Sequence, residues 1–263
     1  MIYVTSAIIG AISGLHSACW GTYKDSLYEN VETYKFIRSI FLGAILGVVL
    51  YKFLIYNNIT NINLGVFFVF IMAFERLLTE SLKAFVRNEK QDKYKIPSRL
   101  HFLGRTIENK YLRIVIGLLF ISLAIFSFYI PELLPVNLGS NILNGAFWGL
   151  IAGLWGSAAG GAWKDAPIEG FDKLSFFRSP AVGLVWGMIL SFFTTNFSFL
   201  LFATMGAERM TVEFYKTFLR RRTPGKFKAT KPIHEEWLTK RTKLIIPYIF
   251  TWIVFVVLLI LPH

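Results

Sequence analysis

The chain has 263 residues, 54% of them hydrophobic and 17% aromatic. Its mean hydropathy is +0.52, too apolar for a soluble domain that must present a polar surface to water, so an integral membrane protein is expected. The net charge of +12 would suit nucleic acid, anionic lipid or membrane topology, and the placement of the charges decides among these.

The N-terminal stretch has no basic leader and runs longer than a signal-peptide core, so it reads as a retained first helix over residues 3–22. Apolar runs then predict helices over residues 36–54, 62–78, 112–130, 142–162, 180–195, 197–210 and 244–261, the sixth and seventh of the eight being short. The fold class expected is all-α, a polytopic membrane protein of about eight transmembrane helices. The lone cysteine, Cys19, lies inside the first apolar run, so no intrachain disulfide framework exists.

The segments Lys24 to Arg38, Arg76 to Arg113, Lys164 to Arg178 and Arg209 to Lys243 hold 27 of the 28 Lys and Arg residues. The alternate connections, "YNNITNI", "PELLPVNLGSNI" and "TTNF", hold none. The positive-inside rule therefore places the four basic segments in the cytoplasm and both termini on the opposite side. Topology accounts for most of the positive charge. With no reading module in the basic segments, no nucleic-acid partner is expected, and the partners indicated are membrane lipids with anionic headgroups at the cytoplasmic face, with room for a protein partner.

The charged sequence is written twice. "GTYKDSLYENVETYKFIRS" at Gly21 to Ser39 returns as "GAWKDAPIEGFDKLSFFRS" at Gly161 to Ser179, an offset of 140. "ERLLTESLKAFVR" at Glu75 to Arg87 returns as "ERMTVEFYKTFLR" at Glu208 to Arg220, and "YKIPSRLH" ending at His101 aligns with "FKATKPIH" ending at His234, both at an offset of 133. Such self-similarity reads as a tandem duplication. The two repeats expected are residues 1–135 and 136–263, with long basic segments at 76–113 and 209–243. An even number of spans per unit makes them parallel, related by an approximate two-fold axis along the membrane normal.

The matched charges are Lys24 with Lys164, Asp25 with Asp165, Glu29 with Glu169, Arg38 with Arg178, Glu75 with Glu208, Arg76 with Arg209, Glu80 with Glu213, Lys83 with Lys216 and Arg87 with Arg220. Arg76, Glu80, Lys83 and Arg87 share one helical stripe, as do Arg209, Glu213, Lys216 and Arg220. At that depth an unpaired charge costs free energy, so the stripes are either salt-bridged helix extensions or a mixed-charge vestibule. In the vestibule, Arg and Lys would bind an anionic group and the carboxylates would orient them. For the first motif, Asp25 and Asp165 suit the N-cap of a short helix along the membrane, with Pro167 in its first turn and Arg38 and Arg178 as snorkelling anchors.

All eighteen matched residues are candidate ligand-binding positions; no metal site or cofactor is identified, and no catalytic residue is assigned. His16 and Ser157 raise the thought of an intramembrane nucleophile without an oxyanion partner. Gly145, Gly149 and Gly153 at intervals of four favour close helix packing. Three functions fit: a transporter or channel-like protein for an anionic or phosphorylated solute, an interfacial enzyme acting on a lipid phosphate or diphosphate through Asp25, Glu29, Glu75 and Glu80 and their matches, and an accessory subunit of a membrane complex. The first is the reading adopted, although the middle of the predicted spans carries hardly any charge.

Overall fold

A computed structural model describes residues 2–88, 92–220, 226–229 and 231–261. Parts of both long basic segments, at 89–91, 221–225 and 230, lie outside the described residues. The long helices are α1 (Ile2–Asp25), α2 (Thr33–Tyr56), α3 (Leu64–Ser81), α4 (Lys110–Ser127), α5 (Asn141–Gly156), α6 (Lys173–Leu190), α7 (Phe197–Phe214) and α8 (Ile245–Ile260). Among the described residues the β-structure is a hairpin pairing His101–Phe102 with Arg105–Thr106 and one isolated bridge, so the protein is all-α. Five helices, Ile2–Asp25, Thr33–Tyr56, Lys110–Ser127, Asn141–Glu169 and Trp237–Ile260, are long and apolar enough to cross a membrane, which marks an integral membrane protein.

The sixth helix begins earlier than its apolar run. Asp172 caps it by accepting from the Leu174 amide at 3.1 Å, so the charged residues Lys173 and Arg178 belong to its first turns. Likewise α2 starts at Thr33, three residues before the apolar stretch. Helix starts follow caps and turns, and hydropathy alone misplaces them.

Two helix pairs make backbone contact. A Cβ added to Gly10 would land on the Gly43 carbonyl, one on Gly14 would land on Ser39, and one on Gly47 would land on Ser6; α1 and α2 therefore touch backbone to backbone. Helices α5 and α6 repeat the arrangement through Gly149 with Gly183, Gly153 with Ser179, and Gly145 with Gly187. Small residues supply the close approach that lipid-immersed helices need, because bilayer tails give apolar side chains no reason to prefer each other.

Helices α3 and α7 cross between these pairs, at a point where Gly206 lies under the Val69 carbonyl. Residues Val66 to Met72 are fully buried without a break, as are Phe199 and Leu200 nearby, so the central helices are apolar on every side. Each is capped by an asparagine 133 residues from its counterpart. Asn63 accepts from the Gly65 and Val66 amides, and Asn196 accepts from the Phe199 amide at 2.8 Å. Each continues into a π-helical turn, Leu82–Val86 after α3 and Tyr215–Leu219 after α7, again exactly 133 apart. A third π segment, Ser157–Asp165, extends α5. The sequence offset is 139 between Gly14 and Gly153 and 140 between Gly21 and Gly161, so one added residue falls in this stretch, which is what a π-bulge accommodates.

Replacing Gly10 or Gly149 by Val forces the backbones apart and is expected to lower the unfolding temperature in detergent by about 5 °C or more, the scale of overpacking in a tight contact. Gly21→Ala, at a site with nothing within 4 Å, should leave it unchanged. Equal shifts for the three variants would show that the glycine contacts do not hold the pairs.

Candidate functional site

The ends of α3 and α7 deliver most of the repeated charges to one place. Arg76 Nη2 donates to Glu213 Oε1 at 2.8 Å, linking the two central helices, and sits 3.9 Å from Glu80. Its guanidinium also faces the Trp20 ring at 4.9 Å. Glu80 in turn meets Lys83 at 3.0 Å and Lys164 at 3.5 Å. Arg76, Glu80 and Lys83 thus do form a connected stripe, and it receives Glu213 and Lys164 from the other half of the chain.

Three carboxylates are buried in this layer: Glu75, Glu208 and Glu213. Glu75 Oε1 accepts from Thr79 Oγ1 at 3.1 Å. Glu208 lacks that support, because position 212 is Val where the first half has Thr79. One oxygen of each of the three carboxylates, Glu75 Oε2, Glu208 Oε1 and Glu213 Oε2, is buried without a hydrogen-bond partner. Arg209 is half-buried, and among the described residues it has neither an ion pair nor a hydrogen bond; its Nη2 lies against Gly160. Nearby, burial together with the positive charges of Arg178 and Arg209 pushes the Lys216 ammonium below its usual pKa.

The first motif behaves differently from expectation. Asp25 closes α1 and caps no following helix; it is paired with Lys226 at 2.5 Å and with Lys24 at 3.6 Å. Asp165 precedes the short helix Ala166–Glu169 but makes no side-chain cap bond. In both cases the carboxylate lies among lysines, whose charge competes with the amide of a helix start. Lys24 stacks over Trp20 at 4.0 Å. Glu29 accepts from Lys93 Nζ at 2.7 Å and from the Tyr94 hydroxyl at 3.2 Å, while Glu169 meets Lys95 at 3.4 Å.

The outer members of the candidate set stand apart. Arg38 is exposed on α2, away from the cluster's ion pairs among the described residues, whereas Arg178 and Arg220 both lie over the Tyr215 ring, at 5.8 and 5.6 Å from its centroid. The Arg87 carbonyl accepts from Arg113, a residue of α4 that is fully buried and also donates to Asn88 at 2.7 Å. His16 and Ser157 are held in different helix pairs. The imidazole of His16 stacks on Tyr248 at 4.7 Å, and the Ser157 hydroxyl donates to the Phe176 carbonyl at 2.6 Å.

Lys226 and Lys93, the partners of Asp25 and Glu29, are not among the matched charges picked out from the sequence, although they lie 133 apart and immediately precede the aligned segments at Tyr94 and Phe227. The segments that carry them meet each other. Tyr94 lies opposite Phe227 in an antiparallel bridge, with the Lys95 amide donating to the Lys226 carbonyl at 2.7 Å and the Lys228 amide to the Lys93 carbonyl at 3.1 Å. Tyr28 and Tyr94 both stack on Phe227. Beyond the bridge, the amides of Ile233 and His234 donate to the Leu27 carbonyl, so the second basic segment caps the first motif. The hairpin of the first segment lies against the second motif, with Phe102 at 5.3 Å from the Trp163 ring. A cavity of about 260 Å³ opens between Tyr28, Glu29, Lys35, Lys93 and His234. Among the described residues no three His, Cys, Asp or Glu side chains gather closely enough to hold a metal ion.

Compared with protein-family models, with curated proteins and with solved structures, the chain matches none.

A double-mutant cycle on Arg76→Ala and Glu213→Ala should return a coupling of about 1–3 kcal/mol in reversible denaturation, because each single change leaves a buried charge without its partner. Strictly additive losses would mean that the two side chains do not act as a pair.

Proposed function

We propose that the protein is a transporter or channel-like protein for an anionic or phosphorylated solute. It would be built from two parallel four-helix repeats, 1–135 and 136–263, with eight spans and both termini on the non-cytoplasmic side. The repeats would meet around a pseudo-two-fold axis at the bridge between Tyr94 and Phe227, where the two hydrogen bonds are reciprocal: Lys95 donates to Lys226, and Lys228, the match of Lys95, donates to Lys93, the match of Lys226. Matched π turns, matched asparagine caps and matched glycine contacts support the same relation.

The observation that carries the solute class is Arg209. Half-buried beside Lys216, with Glu213 and Asp165 close enough to attract it but with no ion pair or hydrogen bond among the described residues, this guanidinium is a candidate donor for a phosphate or carboxylate. Its counterpart Arg76 is paired with Glu213 at 2.8 Å, so of the two matched arginines Arg209 is the one without an ion pair among the described residues. Anionic lipid headgroups at the cytoplasmic face would be the membrane partners of the remaining Lys and Arg residues.

Purified protein should be stabilised against heat by one class among inorganic phosphate, nucleotides and short-chain phosphorylated lipids, by several °C at saturation, and Arg209→Ala should abolish the shift. No shift from any anion, in a preparation shown to be folded, would replace the carrier with the accessory-subunit reading. The topology has its own test: in a Cys19→Ser background, Asn58→Cys should react with an impermeant maleimide only from the non-cytoplasmic side and Lys95→Cys only from the cytoplasmic side. Labelling of both from one side would overturn the eight-span arrangement.

A further inference from the structure

The matched histidines of the two basic segments, His101 and His234, stand in different surroundings. His234 lines the open cavity beside Glu29 and Lys93, with a Glu236 oxygen at 3.6 Å. His101 is only 3% exposed, and neither of its ring nitrogens has a hydrogen-bond partner among the described residues. A neutral imidazole has one N–H to donate and one lone pair to offer, and burying both unpartnered costs free energy that the surrounding packing must offset.

The residues on either side of His101 locate it. The Leu100 amide donates to the Ala84 carbonyl in the π turn after α3, and the Phe102 ring lies 5.3 Å from Trp163 in the π segment after α5. The hairpin then closes through Leu103 and Gly104, both at positive φ, which turns the Gly104 backbone toward the Ile168 side chain. His101 thus sits where the end of the first half's central helix meets the π segment of the second half. Lys164 crosses the same junction to Glu80 at 3.5 Å.

The charged groups on the elements packed here are Glu80 at the end of α3, Lys83 on the π turn, Lys164 and Asp165 on the π segment, Glu169 on the short helix Ala166–Glu169, and Arg105 on the hairpin itself. Glu80 is shared among Arg76, Lys83 and Lys164, Glu169 meets Lys95, and no carboxylate bonds a His101 nitrogen. Burial, and after it the charge of Lys164, holds the imidazole below its ordinary pKa. The docked hairpin therefore binds a proton less readily than an undocked one. Docking is strongest above about pH 6.5 and weakens as the pH falls below that value.

We propose that the hairpin His101–Thr106 is a pH-sensitive latch between the two halves, closed on neutral His101 and released when the imidazole takes up a proton. The imidazolium would hold two buried N–H donors without acceptors and a second positive charge beside Lys164, and undocking returns both to water. Local contacts oppose release: Phe102 on Trp163, Gly104 against Ile168, and the Leu100 amide on Ala84. Helix α4 begins at Lys110, soon after the hairpin, and leans on the same π turn, where Gly117 meets Phe85. Release would uncover the second π segment and loosen the footing of α4 together. The latch concerns regulation and stands apart from the identity of any solute.

The test uses the full chain in detergent, in the Cys19→Ser background, with spin labels on Leu103→Cys at the turn and Leu174→Cys at the start of α6, both exposed positions. Pulsed electron paramagnetic resonance reads the distance between them. At about pH 7.5 one docked distance should dominate, and at about pH 5 a longer, undocked population should rise several-fold. His101→Gln, neutral at both values, should stay docked at both, and His234→Gln should respond as the wild type does. If His101→Gln fails to fold, as judged by elution and melting, His101→Phe, which fills the space without a nitrogen, decides in its place. An unchanged distribution on acidification would overturn the latch, as would a rise that survives in the His101 variant or disappears in His234→Gln.

Discussion

A bilayer gives helices no hydrophobic reason to pack together, so this bundle depends on backbone contact at small residues. Gly10, Gly14, Gly43 and Gly47 bring α1 and α2 together, and Gly145, Gly149, Gly153, Gly183 and Gly187 do the same for α5 and α6. Each pair then presents a single wide face inward. Between those faces α3 and α7 can be apolar all round, and they cross closely because position 206 has no side chain. The crossing fixes where the charged ends emerge. Glu75, Arg76 and Glu80 arrive beside Glu208, Arg209 and Glu213 because the helices that carry them have no freedom to splay.

Once assembled, the charge layer constrains more than it stabilises. Removing Glu213 and Arg76 from water costs much of what their attraction returns, and such a pair is poor evidence of net stability. Leaving either alone would be worse, so only one register of α3 against α7 is tolerated. Trp20 and Tyr215 add aromatic faces to the guanidinium groups of Arg76, Arg178 and Arg220, a contact that strengthens as water is withdrawn. The interleaved basic segments act in the same sense, since each reaches across to the loop of the opposite half. Lys226 neutralises Asp25 and Lys95 meets Glu169, so neither motif finds its counter-charge within its own half alone.

Periodicity and charge announced much of this. The eight apolar runs correspond to the eight long helices, the stripe of Arg76, Glu80 and Lys83 is connected as its spacing implied, and Gly145, Gly149 and Gly153 pack against a neighbour. What stayed hidden were relations between distant segments. Nothing local to Asp25 says that it ends α1 and pairs with Lys226 rather than capping a new helix, because the competing cation lies 201 residues away. The lean of α4 was equally invisible: Val115, Leu118 and Phe126 are as apolar as a packed face requires, and hydropathy cannot distinguish a face that meets lipid from one that meets protein. Arg113 looked like one more topological charge and is a fully buried clasp between α4 and the end of the π turn.

The departures between the two halves carry the functional argument, because matched positions have been held in one frame and their differences can be compared side by side. Thr79 becomes Val212, and Glu208 loses its hydrogen bond. Trp20 becomes Gly160, and Arg209 loses its aromatic cover. Tyr248 on α8 answers to Val115 on α4, and the flank of α5 loses its lid. The first two changes remove support from charges of the second half, and the third is a difference in helix packing. Packing alone would favour filling such gaps, since a guanidinium with no ion pair among the described residues and an uncovered helix flank both forgo stabilising contacts. The differences therefore leave Glu208 without a hydroxyl partner and Arg209 without an aromatic neighbour, while Arg76 is held by both Trp20 and Glu213, so the matched charges are supported unequally in the two halves.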